Sequence, residues 1–221
     1  GRIFSQMPSI SIPISDYIGY NQGFYGLSKT TRFDFIPPLP ATLITRNAVI
    51  SDLKRNLLQP ASPPGGAPPC LALVGMPGVG KSVLATLLAH DPEVRARYPD
   101  GVLWATLGKQ PDIVSVLLGW LSVLGGQPFN VASTESASAM VRGSLVTGRF
   151  LIVVDDAWTS ESVEPFRVGG PECAMVLTTR DSMVARRFGG KSQQIDKLAP
   201  DEALELLLKA TEIECDSSER H

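Results

Sequence analysis

The chain of 221 residues can form one large domain, or one domain with appendages, and its 43% apolar content is ample for a core. With 20 Lys and Arg against 22 Asp and Glu, the net charge of −2 argues against partners that need a strongly basic surface, namely nucleic acid and anionic membranes. Three widely spaced cysteines disfavour a disulfide framework or a zinc site, and strand-sized apolar runs disfavour a membrane span, so we expect a cytoplasmic protein.

The first part of the chain consists of an extension, a lead-in and a linker. Residues 1–36 mix Ile, Ser, Tyr, Phe and Gly without a lasting helical or strand period, and we assign no role to this N-terminal extension. Residues 37–69 start with closely spaced prolines, continue into a predicted helix after Asn47 and end in the Pro/Gly-rich stretch 59–69. That stretch is the clearest linker in the sequence.

The next segment, residues 71–85, predicts a strand, a phosphate-binding loop and a helix. Within it, residues 75–82 (GMPGVGKS) fit the Walker A pattern G-x-x-x-x-G-K-[ST]. Glycines permit positive φ angles and close backbone approach, so that successive N–H groups can surround phosphate oxygens at the positive end of the helix. Lys81 would reach the β- and γ-phosphates, and the Ser82 hydroxyl would ligate Mg²⁺. The alternative is a Gly/Pro turn with a solvated Lys81. The predicted nucleotide-binding residues here are Gly75, Gly78, Val79, Gly80, Lys81, Ser82 and Val83.

Beyond the loop, apolar strand patterns alternate with helical patterns. This alternation predicts an α/β, three-layer P-loop NTPase domain over residues 70–199, with a central parallel five-stranded sheet and right-handed crossovers. Residues 200–221 are expected to begin a helical subdomain that continues beyond the sequence. The predicted strands after the loop are 101–107, 150–156, 174–180 and 193–198, and the predicted helices are 111–124, 133–147 and 201–210.

Charged side chains stand at the ends of two predicted strands. Ligands of open parallel sheets bind beyond the carboxyl ends of the strands, so these residues are candidates for the site. Asp155 follows four apolar residues, as in a Walker B strand, and would hold Mg²⁺, while Asp156 could orient an attacking water. Arg180 could contact a γ-phosphate. The alternatives are a polar strand end that caps a turn, and a surface ion pair of Arg180 with Asp181 or Glu172.

These motifs together resemble the NB-ARC domain, the AAA+-like nucleotide switch of plant disease-resistance proteins and of the apoptosome scaffold (STAND class). The resemblance covers residues 40–210 and rests on four elements: GMPGVGKS (75–82), GVLW (101–104), LIVVDDAW (151–158) and VLTTRD (176–181). In this family the segment before the first helix closes over adenine. By position, the resemblance assigns that role to Pro40, Leu43, Ile44 and Arg46, although packing against the domain is the alternative for each.

The resemblance implies a signalling switch in innate immunity or programmed cell death. Bound ADP would hold a closed form, and exchange for ATP would rotate helical and winged-helix domains and allow self-association. Lys81, Ser82 and Asp155 would hold the nucleotide and Mg²⁺, and Arg180 would report the γ-phosphate. Because Asp156 stands where fast ATPases carry a longer Glu, we expect at most slow ATP hydrolysis. The expected partners are nucleotide and the helical, winged-helix, sensor and effector domains of a longer protein.

Two other functions remain open from the sequence. A P-loop small-molecule kinase needs an acceptor base and usually has a mobile Arg-rich lid, of which Arg180, Arg186 and Arg187 offer a faint version. A module that acts on DNA is disfavoured, because the chain is mildly acidic and has no basic stripe with stacking aromatic residues. Incubation of the protein with ATP and candidate acceptors would distinguish a kinase from a switch, and a salt-dependent shift of duplex DNA would support the third function.

Overall fold

The computed structural model describes residues 33–44, 46–58, 67–125, 131, 133–188 and 191–218, with the backbone alone for residue 33 and residues 212–218. The predictions for residues 1–32, and most of the linker prediction, lie outside these ranges. The strands are β1 (Phe33–Asp34), β2 (Cys70–Val74), β3 (Gly101–Thr106), β4 (Phe150–Ala157), β5 (Ala174–Thr179) and β6 (Lys191–Gln194). The helices are α1 (Asn47–Leu58), α2 (Lys81–His90), α3 (Pro92–Arg97), α4 (Ile113–Val123), α5 (Thr134–Leu145), α6 (Ser160–Val163), α7 (Ser182–Arg187) and α8 (Pro200–Ser218).

All pairings in the sheet are parallel, in the order β1-β3-β4-β5-β2-β6. The five strands β2 to β6 form the predicted central sheet, and the two-residue β1 extends one edge. Strand β2, which leads into the phosphate loop, lies between β5 and β6. Strand β4, which carries the two carboxylates, is separated from β2 by β5 alone. This order brings the ends of β2, β4 and β5 together at one edge.

Continuous apolar runs form the central strands because both faces of the sheet are covered. Successive side chains of β4 point to opposite faces, so Ile152 and Val154 pack in one cluster with Trp120 and Phe166 of the helical segments on that side. The alternate residues, including Val153, pack in a second cluster with α1 and α2. The result is the predicted three-layer arrangement of helices on both sides of a parallel sheet.

Some elements differ from the prediction. The short helices α3, α6 and α7 were not predicted, because they are too short to show a helical period. Their N-cap residues are Asp91, Thr159 and Asp181, which are favourable in that position. Strand β6 ends earlier than predicted, because the polar segment 191–194 pairs with β2 and the chain then turns towards α8. Helix α8 continues to Ser218, past the predicted end. Among the described residues, no helix is long and apolar enough to cross a membrane.

Asp91 joins three helices on one side of the sheet. Its Oδ1 accepts hydrogen bonds from the N–H groups of Glu93 (2.9 Å) and Val94 (3.1 Å) at the start of α3, and its Oδ2 lies 3.0 Å from Nζ of Lys54 in α1. Burial of this carboxyl opposes its ionisation, but the Lys54 ammonium and the two N–H groups outweigh burial and lower the pKa of Asp91. The charged form therefore stabilises the fold.

Asp91→Ala should lower the free energy of unfolding by about 1–2 kcal/mol, since it removes the cap and one ion pair. Because the folded-state pKa is lowered, the contribution of Asp91 is present at neutral pH and is lost as the pH falls through the acidic range. Thermal unfolding at several pH values measures this. The control is Asp52→Ala, which removes the exposed pair with Arg55 and should change little. Equal effects of the two substitutions would contradict the prediction.

Candidate functional site

Two kinds of glycine shape the loop between β2 and α2. Gly78 (φ +79°) and Gly80 (φ +93°) adopt the left-handed conformation that glycine favours, as the motif predicts. Gly75 does not have a positive φ. It is required for close approach instead, because a Cβ there would lie 2.4 Å from the carbonyl oxygen of Ile195. Val79 is buried in the core, so the loop is anchored at its middle.

Lys81 is the first residue of α2 and lies almost fully buried, with 8% of its surface exposed. Its Nζ donates hydrogen bonds to the carbonyl oxygens of Gly75 (2.9 Å) and Met76 (2.8 Å), so the side chain closes the loop on itself. An ammonium has three donors, which leaves one for an anion in the loop. Burial and then the Arg180 charge lower the pKa of Lys81, while Asp156 and Asp155 act in the opposite direction.

Asp155 and Ser82 are in direct contact. The hydroxyl of Ser82 donates to Oδ1 of Asp155 at 2.7 Å, and the hydroxyl of Thr178 in β5 donates to the same oxygen at 2.6 Å. Thr178 is fully buried and also accepts a hydrogen bond from the N–H of Asp156 at 2.9 Å. The contact of Ser82 with Asp155 depends on the sheet order, since these residues lie far apart in sequence. Thr178 is a functional candidate that the sequence analysis missed.

The Ser82 and Asp155 oxygens fit the ligand type that Mg²⁺ prefers. In the described part of the chain, no group of three or more His, Cys, Asp or Glu side chains could hold a metal ion. A cation bound here would therefore take its other ligands from phosphate and water, as Mg²⁺ does in nucleotide sites. The residues fit a metal that arrives with a nucleotide, and Ser82 and Asp155 remain the predicted ligands.

Asp156 and Arg180 meet around the indole of Trp158. Asp156 has a positive φ of +51°, an uncommon conformation that Asp tolerates better than most residues. Its Oδ2 accepts a hydrogen bond from Nε1 of Trp158 at 3.2 Å, and its Oδ1 lies 3.6 Å from Nη2 of Arg180. The guanidinium carbon of Arg180 lies 4.6 Å from the centroid of the Trp158 ring, and Nζ of Lys109 lies 4.9 Å from it.

The alternative ion pairs considered for Arg180 are not formed. Glu172 pairs with Arg97 at 3.1 Å, and Asp181 caps α7 through the N–H of Met183. The observed pair with Asp156 is partly exposed and contributes at most about 1 kcal/mol, while the contact with Trp158 contributes about 0.5–1 kcal/mol. Trp158 and Lys109 were not assigned roles from the sequence. The position of Trp158, two residues after Asp156 at a strand end, is a signal that could have suggested a role for this Trp; no comparable signal marks Lys109.

On the other side of the loop lies a cleft of about 370 Å³, within the usual size range of ligand pockets. The described residues that line it are Met76, Pro77, Gly78, Val79, Lys197, Leu198 and Ala203. None of the four residues predicted to contact adenine lines this cleft. No local motif marks Leu198 and Ala203. They reach the cleft because β6 pairs with β2 and the chain then passes beside the phosphate loop.

Arg46 nevertheless reaches the segment that forms one wall of the cleft. Its Nη1 donates to the carbonyl oxygen of Asp196 at 3.0 Å, and its buried Nε lies 3.5 Å from Oε2 of Glu202, as an ion pair without hydrogen-bond geometry. The carbonyl oxygen of Leu43 accepts from Nζ of Lys209 in α8 at 3.4 Å. Pro40 is exposed and Ile44 is partly buried. The predicted adenine roles of these four residues stay predictions.

Comparison with known proteins extends these observations. The family model described as the NB-ARC domain matches residues 46–214. Regulatory protein AfsR of Streptomyces griseus is 31% identical over 190 residues, covering 82% of this chain and 19% of AfsR. Human apoptotic protease-activating factor 1 is 29% identical over 189 residues, covering 78% of this chain and 14% of that protein. Disease resistance protein SUMM2 of Arabidopsis thaliana is 28% identical over 143 residues, covering 62% of this chain and 16% of that protein. The chain spans less than a fifth of the length of each of these relatives.

Solved structures agree on the fold. Cdc6p from Pyrobaculum aerophilum has a TM-score of 0.54 and 17% identity, covering 78% of this chain and 50% of that chain. The Aeropyrum pernix ORC1 protein, solved in complex with DNA, has a TM-score of 0.56 and 18% identity, covering 79% and 51%. At this identity the likeness concerns the fold alone, and it confirms the predicted P-loop architecture of the AAA+ type.

The family assignment rests on the sequence model and agrees with the geometry. The model covers well over half of the chain, including the phosphate loop and both strand tips that carry charged side chains. The relatives include both protein groups that the sequence motifs resemble, namely a plant disease-resistance protein and an apoptotic protease-activating factor. The chain therefore belongs to the NB-ARC family of nucleotide-binding domains.

Proposed function

We propose that this domain is an ADP/ATP switch of a longer signalling protein. The nucleotide would bind between the phosphate loop and the ends of β4 and β5, with its phosphates on the loop N–H groups and Lys81. Mg²⁺, which would neutralise phosphate charge, would be held by Ser82 and Asp155. The observation that carries the proposal is the contact of Ser82 with Asp155 beside the buried Lys81. This arrangement would place two oxygen ligands for Mg²⁺ next to an ammonium that can bind phosphate.

The adenine base would occupy the cleft beside the loop. One wall of that cleft is the phosphate loop itself, so the ribose and base of a nucleotide whose phosphates bind the loop can extend into the cleft. The other wall, which includes Leu198 and Ala203, leads into α8 and is joined to the lead-in by Arg46. A base bound there would contact the start of α8 with either nucleotide, whereas Arg180 at the end of β5 would respond to the γ-phosphate of ATP alone. Exchange of ADP for ATP would then alter the position of the helical region and, in the longer protein, control self-association.

We expect slow hydrolysis from the short side chain and the contacts of Asp156. A carboxylate that activates water must direct an oxygen at that water. Here the Trp158 N–H and the Arg180 charge orient the carboxylate of Asp156 towards those two side chains. We therefore expect the domain to hold ATP for long periods and to transfer phosphate to water alone. Many turnovers per second, or transfer to a small-molecule acceptor, would contradict this part of the proposal and support a kinase or another turnover ATPase.

The test of the switch is the effect of Arg180→Ala on two nucleotides. We expect ATP affinity to fall about tenfold, because a charge-assisted contact with the γ-phosphate is lost, and ADP affinity to stay within about twofold. Calorimetric titration with each nucleotide measures both affinities. The matched control is Arg186→Ala, which removes an exposed arginine of the adjacent α7. Equal losses for ADP and ATP would exclude Arg180 as the γ-phosphate sensor.

A further inference from the structure

The indole of Trp158 is the fixed centre of a cluster of charged groups. Nζ of Lys109 and the guanidinium of Arg180 both lie over its ring, at 4.9 Å and 4.6 Å from the centroid. Its Nε1 donates to Asp156, and Asp156 in turn pairs with Arg180. Of the two cations over the ring, Arg180 alone is ion-paired with that carboxylate in the described part of the chain, so it is held from two directions.

Backbone hydrogen bonds fix the strand end that precedes Trp158. The carbonyl oxygen of the preceding Ala157 accepts a hydrogen bond from the buried hydroxyl of Thr179 at 2.8 Å, which ties the end of β4 to β5. On the other side, the N–H groups of Leu107 and Gly108 donate to the carbonyl oxygens of Asp155 and Asp156 at 2.9 Å and 3.1 Å. The strand end that carries the indole is thus bonded to both neighbours. The ring itself is oriented by its hydrogen bond to Asp156, and a ring oriented on a fixed strand end can restrict a side chain that packs on it.

Arg180 needs such a restriction. Its side chain is 42% exposed, and a long side chain in that environment samples many rotamers. A guanidinium that is already held near its working position loses less entropy when it binds an anion. Arg180 follows Thr179, whose carbonyl oxygen accepts a hydrogen bond from the N–H of Gly75 at 3.3 Å, so Arg180 lies next to the start of the phosphate loop.

We propose that Trp158 is a positioning residue that holds the Arg180 guanidinium at the phosphate edge and thereby sets the preference of the domain for ATP over ADP. This inference rests on the proposed nucleotide-binding function. The ring acts through Arg180, by a cation–π contact, and makes no contact of its own with the nucleotide. An aromatic residue is therefore required at position 158, and an aliphatic residue of similar bulk is insufficient.

The experiment compares Trp158→Leu, Trp158→Phe and Trp158→Tyr with the wild-type domain, in titrations with ADP and with ATP. Trp158→Leu should lower ATP affinity about three- to fivefold and leave ADP affinity within about twofold, because the cation–π contact with Arg180 is lost. The Nε1 hydrogen bond to Asp156 is lost in all three variants, so it does not distinguish them. Trp158→Phe and Trp158→Tyr should restore ATP affinity to within about twofold, since both keep an aromatic face. In the double variant with Arg180→Ala, Trp158→Leu should cause no additional loss of ATP affinity.

Trp104→Leu is the matched control. Trp104 is a half-buried tryptophan on the neighbouring β3 whose Nε1 donates to Thr106, and no cation in the described ranges lies over its ring. Its loss should leave the ratio of ATP to ADP affinity unchanged. Equal weakening of both nucleotides by Trp158→Leu, no change in either, or additive losses with Arg180→Ala would overturn the inference without contradicting the proposed nucleotide-binding function. A wild-type domain that binds neither nucleotide would overturn the proposed function as well.

Discussion

Lys81→Ala is expected to lower the affinity for both ADP and ATP by about 100-fold, which corresponds to about 2.7 kcal/mol. The buried ammonium has two hydrogen bonds to loop carbonyl oxygens and one remaining donor, so it both closes the loop and offers charge to a phosphate. Because ADP also carries a β-phosphate, both nucleotides should lose affinity together. This outcome differs from the selective loss of ATP that we expect for Arg180→Ala.

The measurement is a titration with each nucleotide, combined with chromatography of any nucleotide that copurifies with the wild-type and variant proteins. Lys81→Met serves as the matched variant, because it keeps most of the buried alkyl chain and removes only the charge. It should lose as much affinity as Lys81→Ala. An affinity within about threefold of wild type in either variant would mean that phosphate does not contact Lys81, and the proposed site would then be wrong.

Gly75→Ala is expected to destabilise the domain by about 2–3 kcal/mol and to weaken nucleotide binding at the same time. The new methyl group would lie 2.4 Å from the backbone carbonyl oxygen of Ile195, and a backbone atom cannot move aside without shifting β6 or the loop. Gly75 also donates its N–H to the carbonyl oxygen of Thr179 at 3.3 Å, so a displaced loop would lose its contact with β5.

Gly119→Ala is the control for this substitution. Gly119 lies on the exposed side of α4, and a Cβ there would meet nothing within 4 Å. The same chemical change should therefore stabilise the protein by up to about 1 kcal/mol, because alanine favours helix more than glycine does. Chemical denaturation of both variants gives the two free energies. If Gly75→Ala unfolds at the same denaturant concentration as wild type, the close approach to Ile195 is not a constraint in solution.

Much of the site was predictable because its residues follow local patterns. The spacing of Gly78, Gly80 and Lys81 indicates a phosphate loop wherever it stands between a strand and a helix. The apolar run before Asp155 indicates a buried parallel strand, and such strands end at one edge of a sheet. These patterns correctly predicted the fold class, and the family resemblance they support is confirmed by the match over residues 46–214.

The cleft beside the loop was less accessible to sequence reasoning. The resemblance assigns adenine contacts to Leu43 and Arg46, a role that stays a prediction, and the structure shows their contacts with the α8 region. The cleft is lined in part by Leu198 and Ala203, which belong to a mixed polar and apolar stretch before and within α8. No local period or motif distinguishes a residue that lines a cleft from one that simply precedes a helix.

The sequence by itself determined the parts whose signal lies within a few consecutive residues: the loop, the buried strands, and the charged side chains at the strand ends. The tertiary structure alone decided which of these groups touch. Thr178 reaches Asp155, and Arg180 reaches Trp158, because β5 lies beside β4; Gly75 must lack a Cβ because β6 passes beside the loop. These contacts depend on the order of strands in the sheet. That order is set by the packing of the whole domain, which local residue patterns do not record.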